Sequence, residues 1–353
     1  MTIRSAAKHR KTSPGNRAWI GSRRWAGMLV PVVAVITAAT VTGGGSTAVA
    51  ADNPNTTVII GGDPQGVAVD PDGRHFYVAS YGDNALRVID TAKHEVVGSI
   101  HVGANPRGVA VDPDSRHAFV TNYSENSVSV IDTASGRVIH NVAVGASPSA
   151  VAIFPHDHYA IVTNSYGNTV SVINIVNLKV VCVVPVGGHP DGVAIDPKGQ
   201  FAYVANSASN SVSVIDIHTQ KVIQTVLVGR SPQKVVVDPD GRHAYVTNYG
   251  DNTVSVINLP TQLGLDVYNS ILKTNDTIPV GLNPRGLAVA PDSHHAFVVN
   301  TADDTMSVID TANGAVIGTS FVGYSPDEVA VAPDGTAYVT ARGDGTVTVI
   351  RPF

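Results

Sequence analysis

A proline within Asp-Pro-Asp-Gly, or a near copy of that phrase, recurs at Pro71, Pro113, Pro155, Pro197, Pro239, Pro291 and Pro333. Successive intervals are 42, 42, 42, 42, 52 and 42 residues. Seven copies at one period mean seven supersecondary units of one kind, because a single unit cannot bury its apolar face alone. Within a unit the signals are short and extended. In the fifth copy, 234–238, 244–248, 253–258 and 277–281 are rich in Val, Ile, Tyr and Thr, and Gly, Pro, Asn and Asp clusters separate them. Such runs read as strands. No stretch has the spacing of a long amphipathic helix.

Four strands per unit and seven units predict an all-β fold, a seven-bladed β-propeller of four-stranded antiparallel blades. The last unit stops after its third strand, near Ile350. Residues 56–60, Thr-Thr-Val-Ile-Ile, match the outer-strand phrase 224–228 and stand at the same distance before a proline. They are expected to complete the last blade, close the ring and cover an open sheet edge. The one long interval holds an insertion at 259–272, expected between the third and outer strands of blade five. It reads equally as a cap or partner contact and as a plain loop extension.

The first fifty residues differ in kind from the rest, with seven Lys or Arg and no Asp or Glu. An apolar run from Met28 to Val41 follows the basic part, and Ala48-Val-Ala50 precedes Ala51. That order describes an export signal over 1–50, with the single propeller domain over 51–353 and no membrane span in the mature form. Ordinary secretion is the default, and Arg23-Arg24 leaves the twin-Arg route open. The expected location is therefore secreted or cell-surface. Residues 51–353 carry 16 basic and 28 acidic side chains, a net −12. Phosphate backbones are bound largely by Lys and Arg, so nucleic acid is disfavoured as a partner. Cys182 is the single cysteine, so no internal disulfide forms, and its apolar strand context predicts a buried, inert thiol.

Tyr245-Val-Thr-Asn248, with Ser255-Val-Ile-Asn258 and Val280-Gly281 around it, resembles the YVTN family of β-propeller repeats. The resemblance covers nearly all of 56–353. It implies a secreted or surface-layer protein of bacterial or archaeal type, many of whose kin have no known activity. Related seven-bladed propellers include lactonases and a streptogramin lyase, but no residue set here transfers a catalytic role.

Most repeated residues have structural readings. The first YVTN position holds Tyr77, Phe119, Ile161, Tyr203, Tyr245, Phe297 and Tyr338, suited to the wedge between blades. The fourth holds Asn122, Asn164, Asn206, Asn248 and Asn300, expected to bond backbone two residues on. Asp-Pro-Asp-Gly lacks the further oxygen ligands of a calcium loop and reads as a turn. His75, His117, His243 and His295 share one repeat position, too far apart around a ring for one ion, and read as solvated turn residues. His156, His158 and the pair His294-His295 lack a third ligand close in sequence. No metal site and no cofactor are expected.

A functional site should sit where the copies disagree. In the link V-G-x-x-P-x-G, which propeller geometry puts at one mouth of the central channel, the residue after Pro is Gln65, Arg107, Ser149, Asp191, Gln233, Arg285 and Asp327. Two residues earlier stand Asp63, Asn105, Ser147, His189, Ser231, Asn283 and Ser325. Arg107 and Arg285 could grip a carboxylate or phosphate. His189 and Asp191 are close in sequence, though two residues define no reaction. The alternative is a hydrated mouth with Arg285 and Asp327 paired across adjacent blades. Tyr81, Tyr123, Tyr249 and Arg342 are rim candidates. The ligand-binding candidates are thus Gln65, Arg107, His189, Asp191, Gln233, Arg285, Asp327 and Arg342, with no catalytic residue assigned.

Two functions are compatible with this reading. One is a monomeric binding scaffold for a protein, a cell-envelope component or a small anionic molecule at the channel mouth. The other is a propeller enzyme, a lyase, lactonase or hydrolase at the same mouth, for which a divalent metal would be plausible chemistry. The chain has no H-E-x-x-H, nucleophile elbow or phosphate loop, so the first is favoured.

Overall fold

The computed structural model describes residues 56–155, 158–260 and 272–351. Among these, 28 strands form seven four-stranded antiparallel sheets. Blade one spans 64–101, and the next five begin at Pro106, Pro148, Pro190, Pro232 and Pro284. Blade seven takes Pro326–Val331, Ala337–Ala341 and Thr346–Ile350 from the end of the chain, and Thr56–Ile59 as its outer strand. Thr56 lies opposite Val349 and Ile59 opposite Thr346. The closing strand ends one residue earlier than the sequence predicts, because the chain turns at Ile60, whose N–H donates to Gly345 O at 2.9 Å. The first strand of each blade lies against the first strands of both neighbours, blade seven against blade one included, so these strands ring the central channel.

Two positions of the repeated phrase join neighbouring blades. The first position is buried in all seven copies. It packs on the second strand of the following blade: Tyr203 with Ala244 and Val246, Tyr245 with Ala296 and Val298, Phe297 with Ala337 and Val339. At the seam, Tyr338 meets Phe76 with ring centroids 4.3 Å apart. The third position is a polar clasp. Thr121 Oγ1 accepts from Gly108 N at 2.7 Å in its own blade and donates to Ser149 O of the next at 2.8 Å. Thr163, Thr247 and Thr340 repeat this, and Thr340 reaches Gln65 O at 2.7 Å, so a hydroxyl also closes the ring.

The fourth position departs from expectation. Asn122 Nδ2 donates sideways to Ser127 Oγ and Ser129 Oγ, both at 2.9 Å, and the other four asparagines do the same with the matching hydroxyls. The carboxamide is drawn into the sheet because two strand-three hydroxyls face it, leaving the turn to other groups. It also fixes the glycine of Val-Gly. A Cβ on Gly145 or Gly187 would lie 2.6 Å from the Asn164 or Asn206 carboxamide carbon. The turn is held by Asn84, Asn126, Asn168, Asn210 and Asn252, whose Oδ1 atoms accept the N–H of Asn105, Ser147, His189, Ser231 and Asn283 in the following link.

Three further expectations change. In blade five the first strand begins at Pro232 and the outer strand covers Thr274–Pro279, nearer the insertion than expected. Residues 261–271 and 156–157 lie outside the described residues, so most of the insertion and one close histidine pair stay as sequence readings. His117 and His243 are half-buried, not solvated, because each Nδ1 bonds the leading Asp of its turn, Asp112 at 2.8 Å and Asp238 at 2.9 Å. Cys182 is half-buried, since its outer strand lies on the circumference of the ring, and it packs on the cluster between blades three and four.

Candidate functional site

The variable ring gathers at the channel. Arg107, Ser149, Asp191, Gln233, Arg285 and Asp327 line one cavity with Lys234 and Glu328. Its volume is about 70 Å³, the room of a few ordered waters. The first strands approach so closely that side chains are excluded at several points. A Cβ on Gly66 would lie 2.3 Å from Arg107 O, and one on Gly108 2.5 Å from Ser149 O.

Inside this space and beside it the charges satisfy one another. Arg107 of blade two reaches past blade three to Asp191 of blade four, with Nη2 3.3 Å from both carboxylate oxygens. Ser149 Oγ of the intervening blade donates to Asp191 Oδ1. Arg285 Nη1 is 2.7 Å from Asp327 Oδ1, an ionic contact off the N–H direction, which leaves that oxygen without an aligned hydrogen bond. Arg342 makes a two-pronged bond to Asp63 at 2.6 and 3.1 Å, and its Nη1 is 3.7 Å from Asp327. Lys234 of blade five crosses to Glu328 of blade seven at 2.7 Å. Four cations thus stand against Asp63, Asp191, Asp327 and Glu328.

The electrostatics follow from that mutual pairing. Burial alone would raise the Asp191 carboxyl, but the Arg107 and Arg285 guanidiniums and the Ser149 hydroxyl overcome it and hold the group below the ordinary carboxylate range. Burial opposes the charge on Arg107, and Asp191 and Asp327 more than restore it. The Asp63 hydrogen bonds do the same for Arg342. Asp191, Arg107 and Arg342 are therefore each held in the charged form.

The remaining candidates separate by depth. Gln65 is buried beneath the seam, where its carbonyl serves Thr340, and Gln233 lines the cavity wall. His189 is exposed on the rim, and its ring stands edge-on to Tyr166 at 5.0 Å. Asp191 instead turns into the channel, so the two residues that are neighbours in sequence serve different layers. Tyr123 links those layers, with the Arg107 guanidinium 5.6 Å from its ring centroid. Among the described residues no three His, Cys, Asp or Glu side chains gather as a metal ion would need.

Two sets of residues escaped the sequence reading. Lys234 and Glu328 occupy the position filled by Gly66, Gly108, Ala150, Gly192 and Gly286 in the other blades. Comparing that column across the copies would have found them. The second set lies one residue after the Val-Gly glycine: Gly62, Ala104, Ala146 and Gly188 in blades one to four, then Arg230, Leu282 and Tyr324 in blades five to seven. Small side chains give way to large exposed ones over one contiguous arc.

Comparisons with known proteins agree with this architecture. The family model described as a YNCE-like β-propeller matches residues 72–159 and 155–242, each about two repeat units. No curated protein matches the sequence. Among solved structures, Kuenenia stuttgartiensis hydrazine synthase superposes with a TM-score of 0.73 at 22% identity, over 82% of this chain and 96% of that one. The β-propeller domain of Myceliophteria thermophila Cps50 (Swd1) gives 0.73 at 12% identity, over 84% and 99%. A functionally unknown protein from Desulfotomaculum acetoxidans DSM 771 gives 0.64 at 19% identity, over 73% and 86%. At these identities the likeness is one of fold, and activity does not travel with it.

Proposed function

We propose that this chain is an exported, non-catalytic YVTN-type propeller that binds a macromolecular partner with the rim around its channel mouth. The observation that carries the reading is the mutual pairing of the channel charges. A guanidinium that already holds a carboxylate must break that contact before it can grip a ligand carboxylate or phosphate. A cavity of about 70 Å³ leaves little room for the exchange. The small-anion form of the binding hypothesis is therefore disfavoured, and so is turnover of an anionic substrate between Arg107 and Arg285. The rim differs, because Tyr166, Leu282 and Tyr324 stand open on hydrogen-bonded turns. Rigid aromatic and apolar groups on a fixed scaffold are what protein recognition uses.

The test is a thermal-shift screen of the purified protein against phosphate, citrate, short dicarboxylates and divalent metals. It is run beside metal analysis and a turnover panel of lactones and esters. Ligands of the folded state raise apparent stability by mass action. The proposal expects no saturable shift and no turnover. A saturable anion shift that vanishes in Arg107→Met/Asp191→Leu, or turnover that Asp191→Asn abolishes, would move the function into the channel.

A further inference from the structure

The rim is not uniform, and its asymmetry points to one kind of partner. Over blades five to seven the links that carry glycine or alanine elsewhere carry Arg230, Leu282 and Tyr324. The Arg230 side chain is 71% exposed, Leu282 49% and Tyr324 58%. Tyr249 adds to this arc from the adjoining turn of blade five. Phe321, itself 58% exposed, stands against Tyr324 with ring centroids 5.6 Å apart.

The arc is continuous and pre-set. Asn283 Nδ2 donates to Tyr249 O at 3.1 Å, tying the Leu282 link to the blade-five turn. Ser325 N donates to Asp304 Oδ1 at 2.8 Å, tying the Tyr324 link to the blade-six turn. The N–H groups of Arg230, Leu282 and Tyr324 donate to Asp251, Asp303 and Asp344. A side chain on such a turn loses little backbone freedom on binding.

The same bonds decide the chemistry of the occupant. Asp251, Asp303, Asp304 and Asp344 stand along the arc, each accepting one of its backbone N–H bonds. Against these four stands Arg230, itself paired with Asp251 at 2.5 Å, and the other local cation, Arg342, is neutralised by Asp63. The arc thus sets exposed apolar and aromatic side chains beside carboxylates, in a chain whose residues 51–353 carry −12. Exposed Tyr, Phe and Arg side chains along one arc match the residues enriched at the centre of a protein interface.

We infer that the arc formed by Arg230, Tyr249, Leu282, Phe321 and Tyr324 docks a basic polypeptide segment bearing an aliphatic or aromatic knob. The knob seats among Leu282, Phe321 and Tyr324, and flanking Lys or Arg side chains face the carboxylates along the arc. This rests on the proposed rim-binding function and narrows it to one arc and one partner class.

The experiment selects a phage-displayed library of random 12-residue peptides on the purified protein, then measures the enriched peptides by fluorescence polarisation. Binding is compared across the parent, Leu282→Ser/Tyr324→Ser and Tyr166→Ser. All three positions are exposed, and thermal melts confirm that each variant is folded. Enriched peptides are expected to carry net positive charge and at least one large apolar residue. Affinity is expected to fall at least tenfold in the double variant, to hold in Tyr166→Ser, and to weaken with added salt. No enrichment, acidic winners, or equal binding to the double variant would overturn the inference. Binding lost only in Tyr166→Ser would overturn it while keeping the rim-binding function, with blades two to four as the docking arc.

Discussion

Replacing Asp191 with asparagine leaves Arg107 inside the channel without its anion. The two side chains are 19% and 15% exposed, so solvent screens them only in part. Removing one partner of a buried pair costs about 3–5 kcal/mol, and partial exposure puts this site at the low end. A loss of about 3 kcal/mol lowers the melting temperature by roughly 6–12 °C in a chain of this order of size. Replacing both groups, as Arg107→Met/Asp191→Leu, removes the stranded charge and is expected to recover most of the loss, since apolar substitutes for a buried pair are often neutral or better. Thermal and urea unfolding of the parent, Arg107→Met, Asp191→Leu and the double variant, beside Asp191→Asn, yields the coupling directly. Binding residues held ready for a ligand behave in the opposite way, and removing them commonly stabilises the fold. An unchanged or raised melting temperature in Asp191→Asn would therefore refute the structural role given to this pair.

Other outcomes follow from the same geometry. Because the folded Asp191 carboxyl sits below its ordinary value of 3.8, its stabilising contribution is full above that value and is lost as pH falls through the lowered one. The urea midpoint of the parent is accordingly expected to drop more steeply on acidification than that of Arg107→Met/Asp191→Leu. Gly108→Ala is expected to destabilise strongly, because its Cβ would meet Ser149 O at 2.5 Å. Gly318→Ala, with nothing within 4 Å, should be neutral or stabilising by up to about 1 kcal/mol, and paired melts compare the two. Val58→Asp places a charge on the buried face of the closing strand. It is expected to cost several kcal/mol and to expose the edge of blade seven, read by denaturant unfolding and by self-association in sedimentation.

The fold was legible because propeller blades repeat, and a repeat writes its period into the chain. Tyr245 announced a wedge residue, and Thr56 to Ile59 announced the closing strand, since both are statements about local pattern and unit count. Pairing was not legible. Arg107 finds Asp191 two blades away, and Lys234 finds Glu328 two blades away, because curvature brings first strands together across a narrow channel. Nothing in sequence spacing states that distance. Arg285 and Asp327, on adjacent blades, were within the reach of neighbour logic. The asparagines were misplaced for a related reason, since the hydroxyls they bond sit on the next strand and not in the next turn.

A closed network of channel charges is what leaves the rim as the proposed binding face. A crystal structure of the protein soaked in a high concentration of citrate or phosphate tests this most directly. Arg107 is expected on Asp191, Arg285 on Asp327 and Lys234 on Glu328, with only water in the cavity. An anion held between Arg107 and Arg285, with either carboxylate displaced, would contradict it.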